Sequence, residues 1–264
     1  MAEAETLFVE DEPGVFVPTE LSRGPWDPNA LHGGPVSALL ARAIEQVETP
    51  GAMHVARLTV ELERPVTLQP LQVRASVTRP GKRVQLVDAD LFAGESRVAR
   101  ARALRIRTTD LDYAAEAPDP APPAGPDSVE TQPWKDDWGY VAYHSHGVEM
   151  RFVKGGDAET PGPVIVWMRL RQPVLAGEEP SPVQRAAAVA DFGNGVSAAL
   201  SFDQWSFINP DLTVSMYRPP VGEWICLDAA TALDPSGIGM AQSVLSDTSG
   251  SFGRAVQLLY VDRR

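Results

Sequence analysis

The chain has 264 residues, enough for one large domain or two small ones, and its 44% hydrophobic content is ordinary for a globular protein. A net charge of −12 argues against a nucleic-acid partner, no apolar stretch approaches membrane-spanning length, and the single cysteine excludes a disulfide framework and a cysteine-based zinc site. The acidic opening MAEAETLFVEDEPG lacks the basic start and apolar core of a signal peptide, so a cytoplasmic location is expected.

The first chemically suggestive stretch is LHGGPVSALLARAIE, Leu31 to Glu45. It predicts a helix entered through His32, Gly33 and Gly34, with Pro35 in the first turn, where a missing N–H costs nothing. A helix N-terminus exposes unpartnered N–H groups and partial positive charge. Two glycines let a ligand approach those groups, so this entrance suits a developing oxyanion, although a tight turn before a helix explains the glycines as well. The run itself carries no carboxylate or thiol near its middle. After it, RLTVELERPV reads as a strand with His54 at its start. Alternating segments then follow, ending in SRVARARALRIR, where Arg97, Arg100, Arg102, Arg105 and Arg107 interleave with apolar residues and the alternation from Arg100 to Arg107 predicts a strand with one wet face. Residues 109–133 are rich in Pro, Ala and acids and predict an extended, exposed linker. The expected units are therefore 1–108 and 134–264.

The two units repeat each other. RLTVELERPV (57–66) and DLTVSMYRPP (211–220) share Leu, Thr, Val, Arg and Pro at a constant offset of 154. Each follows an alanine-rich helical stretch and precedes strand-like segments, so an α+β fold is expected, with a helix wrapped by a curved antiparallel sheet present twice and the sheets meeting edge to edge. In the back helix, SPVQRAAAVADFGNG, Asp191 stands alone in an apolar run, where an unpaired charge is costly. It either ends the helix before Gly193 or carries chemistry. At an offset of 150 it falls opposite Ala41, and His32 falls opposite Pro182, so one helix has the entrance and the other the acid. Cys226 reads as a buried strand residue, and Trp205 and Phe207 as packing residues. His144 and His146 have metal-like spacing without a third ligand, and Trp134, Trp138, Tyr140 and Tyr143 are core aromatics or the lining of a tunnel.

The pattern resembles the hotdog-fold thioesterases, in which HGG opens the central helix and an acid follows nine positions after the histidine. Here that position is Ala41, and Asp191 takes its place in the back half, as in a fused double hotdog keeping one complete site. More narrowly the chain is similar to the acyl-CoA thioesterase II group of double-hotdog proteins. That resemblance implies hydrolysis of acyl-CoA thioesters without metal or cofactor. Asp191 would activate water, Gln257 and either Asn209 or Thr213 would hold it, and His32, Gly33 and Gly34 would bind the oxyanion. The implied partner is acyl-CoA, its phosphates near Arg57, Lys82, Arg83 or the Arg97–Arg107 series, and the implied assembly a homodimer or higher homo-oligomer. A non-catalytic acyl-CoA or lipid-binding protein and an enoyl-thioester hydratase are the competing readings; the second ordinarily needs a histidine beside the acid, which DFGNGVS lacks.

Overall fold

Two alanine-rich runs become antiparallel helices that cover each other's small-residue faces. The computed structural model describes residues 5–112, 123–130, 139–156 and 161–264, so Trp134 and Trp138 lie outside the described residues. Helix α1 spans Gly33–Gln46, with His32 in extended conformation as its N-cap. Val36, Ala38, Leu39, Leu40, Ala41 and Ile44 are each at most 1% exposed, because one face meets a sheet and the other the second helix. Its C-terminus is closed by Arg105, whose guanidinium donates to the Ile44 and Val47 carbonyls and to Gln85.

The front half contributes β1 (Phe8–Glu12), β2 (Val15–Pro18), β3 (Met53–Leu62), β4 (Leu71–Arg79), β5 (Val84–Ala93) and β6 (Ser96–Arg107). The back half contributes β7 (Val148–Lys154), β8 (Val164–Leu170), helices α2 (Pro182–Ala190) and α3 (Gly193–Val196), then β9 (Trp205–Ile208), β10 (Asp211–Met216), β11 (Ile225–Asp234), β12 (Ile238–Asp247) and β13 (Gly250–Arg263). They form one antiparallel sheet in the order β1-β2-β4-β5-β6-β3-β10-β13-β12-β11-β8-β7, with β9 added beside β13. The sheet does not close. Its first strand instead docks on the back half, where Leu7 and Phe8 N–H donate to the Pro173 and Val174 carbonyls.

The junction of the halves is the repeated sequence itself. Thr59 pairs with Thr213, Leu58 with Val214 and Val60 with Leu212. A residue that faces its own repeat mate while its neighbours exchange partners lies on a two-fold axis. The axis passes between the two threonines, whose hydroxyls are 3.2 Å apart.

The structure departs from the sequence reading in four places. The back half lacks a long central helix: α2 ends after nine residues at Asp191, as one of the two readings of that residue allowed, and Gln257 takes the backbone groups freed at the break, donating to the Asp191 carbonyl and accepting from Asn194 N–H. Arg105 is not on the wet face of β6; it shares the inner face with Ala101 and Ala103 and is 2% exposed. Arg97, Arg100 and Arg102 do face outward, but carboxylates of Glu61, Glu63, Asp88 and Asp90 engage them. The described part of the linker is not wholly exposed, for Pro126 is buried and the Ala124 and Pro126 carbonyls accept from Trp167 and Arg151.

Candidate active site

Because α1 and α2 run antiparallel, the C-terminus of α2 meets the N-terminus of α1, and Asp191, the C-cap of α2, lands on the HGG entrance. Three absent side chains permit this. A Cβ on Gly33 would lie 2.7 Å from Asp191 Oδ2, and one on Gly193 would lie 2.9 Å from Gln257 Oε1. A Cβ on Gly34 would collide with the Ala188 carbonyl, so that glycine sets the approach of the two helices.

The Asp191 carboxylate is 8% exposed. Oδ1 accepts from Asn209 Nδ2 at 2.8 Å and Gln257 Nε2 at 2.9 Å, and Oδ2 lies 2.8 Å from His32 Nδ1. Gly34 N–H is 3.0 Å from the same Nδ1 and also acts on the carboxylate. Nδ1 cannot both accept from Gly34 N–H and donate to Oδ2. Two lone pairs at 2.8 Å would repel, so in the pairing with Asp191 the proton lies on Nδ1 and points at Oδ2, and the bond from Gly34 N–H to Nδ1 belongs to the other tautomer. Burial alone would raise the Asp191 pKa, but the facing His32, then the His32, Asn209 and Gly34 hydrogen bonds, outweigh it and hold the group below the ordinary carboxylate range.

The imidazole packs in a cluster with two aromatic rings, 4.6 Å from Phe192 and 5.2 Å from Tyr143 between centroids, and those two rings are themselves 5.4 Å apart. Tyr143 is fully buried, its hydroxyl donating to the Ala188 carbonyl; burial and then the Asp191 charge push its pKa well up, so it stays a neutral donor. Gly33 N–H, at the first helical position, has no hydrogen bond among the described residues. An oxyanion would find its free donor there, since Gly34 N–H is already engaged.

Of the residues singled out in the sequence, His32, Gly33, Gly34, Asp191, Asn209 and Gln257 come together. Asn209 and Gln257 give their amide N–H groups to the carboxylate, whereas the resemblance implied that they hold water. Thr213 does not join them: on β10 it alternates with the buried Leu212 and Val214, faces the other side of the sheet and bonds Thr59. His54 binds the Met216 carbonyl, Cys226 is buried with its thiol pushed up to about 12 by burial, and Tyr140 donates to the Gly24 and Pro25 carbonyls. Among the described residues no group of three or more His, Cys, Asp or Glu is disposed to hold a metal ion, and no helix is long and apolar enough to cross a membrane. The roles of Phe192 and Gly193 had no signal of their own beyond adjacency to Asp191.

Two helix-and-sheet units joined across a pseudo-two-fold, with an acid of one helix at the entrance of the other, define a double hotdog. Residues 22–106 match the model of the acyl-CoA thioesterase N-terminal domain and residues 120–261 that of the acyl-CoA thioesterase C-terminal domain. The chain belongs to the acyl-CoA thioesterase family. Its fold is similar to that of a Thermobifida fusca YX protein assigned to thioesterase II (TM-score 0.75, 18% identity, covering 98% of this chain and 96% of that one). It is equally similar to a hot dog fold protein of Alicyclobacillus acidocaldarius (TM-score 0.75, 16% identity, 94% and 92%). The acyl-CoA thioesterase II TesB2 of Mycobacterium marinum matches at TM-score 0.65 and 16% identity over 97% and 95%. No curated protein matches the sequence significantly.

Proposed function

We propose that the chain hydrolyses acyl-CoA thioesters at the His32–Asp191 site, without metal or cofactor. The observation that carries this reading is the buried, ionised carboxylate of Asp191 held against the α1 entrance, beside the unengaged Gly33 N–H. The carboxylate is the source of negative charge that draws a proton from water, and Asn209 and Gln257 fix it in place. As water attacks, charge grows on the thioester oxygen, and Gly33 N–H at the positive end of α1 stabilises it. Of the two candidates for the third polar residue, Asn209 supplies the donor. The test is thiol release from saturated acyl-CoAs of short to long chain; no release from any of them contradicts the reading.

Hydration of an enoyl thioester is the second reading, favoured by one observation: the histidine missing from DFGNGVS is supplied by the other helix, 2.8 Å from Asp191. Thiol release from a saturated ester, which has no double bond to hydrate, separates the two.

A further inference from the structure

Asp191 has little acceptor capacity left for water. Asn209 and Gln257 fill Oδ1, and His32 Nδ1 lies 2.8 Å from Oδ2. A carboxylate held by three donors can orient and stabilise a neighbouring charge, but it offers little to a further partner. The other nitrogen of the imidazole is in the opposite situation. With the proton on Nδ1, Nε2 of the neutral ring carries a lone pair. It has no hydrogen-bond partner among the described residues, yet it is not among the buried atoms that lack one, so it keeps accessible surface. The ring packs against the adjacent Phe192 and Tyr143 and is anchored at Nδ1, which fixes the direction in which Nε2 points.

We propose that His32 Nε2 is the catalytic base of the reaction and that Asp191 is a positioning residue acting through the ring. This rests on the thioesterase reading above and changes which atom takes the proton. Water gives a proton to Nε2 as its oxygen bonds the thioester carbon, and the carbonyl pair moves onto oxygen at Gly33 N–H. When the carbon–sulfur bond breaks, the proton on Nε2 passes to the departing CoA sulfur. The acid and the free thiol are released and the ring returns to its starting tautomer. Asp191 opposes the positive charge that the ring carries between the two transfers.

The test compares His32→Asn with Asp191→Asn in the full chain. Asn is a favoured N-cap and its amide can still donate to Asp191, but it has no base where Nε2 stood. The expected result is a fall of about a hundredfold or more in kcat for both variants, with KM little changed, and partial recovery of His32→Ala by added imidazole. Near-native kcat in a folded His32→Asn with loss in Asp191→Asn overturns the proposal and returns the base to Asp191. Native-like hydrolysis by both variants overturns the thioesterase site itself. A measurement on the native protein is independent of folding of the variants: diethyl pyrocarbonate should acylate His32, mapped by mass spectrometry, in step with loss of thiol release. An unmodified His32, or full activity after its modification, contradicts the assignment.

Discussion

Glu45 and Asp191 close opposite ends of one antiparallel helix pair, each carboxylate lying at the N-terminus of the other's helix. Glu45, near the end of α1, accepts from Ser181 Oγ at 2.6 Å and from Gln184 Nε2 at 3.2 Å at the start of α2. Asp191, at the end of α2, meets the start of α1. The pseudo-symmetry is broken where chemistry requires it. The α2 entrance has Ser181 and Pro182 in place of a histidine and glycines, and Ser181 Oγ already caps Gln184 N–H. One end is thereby a helix cap and the other a candidate site.

The two entrance glycines have separable roles. Gly33→Ala puts a methyl group against the Asp191 carboxylate, which must move off Asn209 and Gln257 to make room, so the expected effect is loss of thiol release. Gly34→Ala meets the Ala188 backbone, which cannot yield without parting the helices. Overpacking of that kind costs about 1–3 kcal/mol. At about 2–4 °C per kcal/mol for a chain of this size class, thermal unfolding should reveal it in Gly34→Ala.

Gln257 serves the backbone and the carboxylate together, so its removal should be felt in both. Gln257→Ala leaves the Asp191 carbonyl, Asp191 Oδ1 and Asn194 N–H each without one partner. A buried group left unsatisfied costs about 1–3 kcal/mol. Urea unfolding should show a lowered midpoint, and kcat should fall with it. An unchanged midpoint would mean that the helix break does not depend on this side chain.

The two carboxylates should respond to pH in opposite directions. Asp191 is depressed in the folded chain, burial being outweighed by its donors, so its stabilisation is complete above the unfolded carboxyl pKa, about 3.9, and is lost as pH falls through the lower folded value. Glu45 is raised, chiefly by burial and against the Ser181 and Gln184 bonds, so folding favours its protonated form, and its contribution is complete below the unfolded pKa and is lost as pH rises through the higher folded value. Unfolding midpoints at neutral pH should therefore drop for Asp191→Asn and hold or rise for Glu45→Gln. The reverse order would contradict the assignment of the two ends.

A second copy of the chain is the expected occupant of the outer face of β12 and β13. Ile238, Met240, Leu258, Tyr260 and Ile208 are 62%, 38%, 49%, 55% and 56% exposed, and they are cross-strand neighbours. Together they expose roughly 500 Å², at the upper end of the patches that single chains leave open. The adjoining Ala232 and Val256 lengthen this apolar face. Sedimentation should give a homodimer, and Met240→Glu with Leu258→Glu should give a monomer that still releases thiol, because the site lies within one chain.

Much of this was legible in the sequence, and what was not has physical reasons. The repeat around Thr59 and Thr213 revealed the two halves, and the lone Asp191 in an alanine run pointed to the site because a charge there needs partners. The chain order could not show that Asn209 and Gln257 aim at the carboxylate, since that depends on where β13 and the segment before β10 lie against α2. Arg105 was misread because burial on β6 follows Ala101 and Ala103, and a guanidinium capping α1 looks like one more wet arginine in a run of five. Thr213 was a candidate only while its face of the strand was unknown.

The most direct measurement of the central claim is the rate of thiol release by the native chain and by Asp191→Asn on the acyl-CoA that the native chain cleaves best. The expected result is hydrolysis by the native chain and a loss of about a hundredfold or more in a variant that remains folded. Equal rates from the two proteins would place the chemistry elsewhere and contradict the site at the α1 entrance.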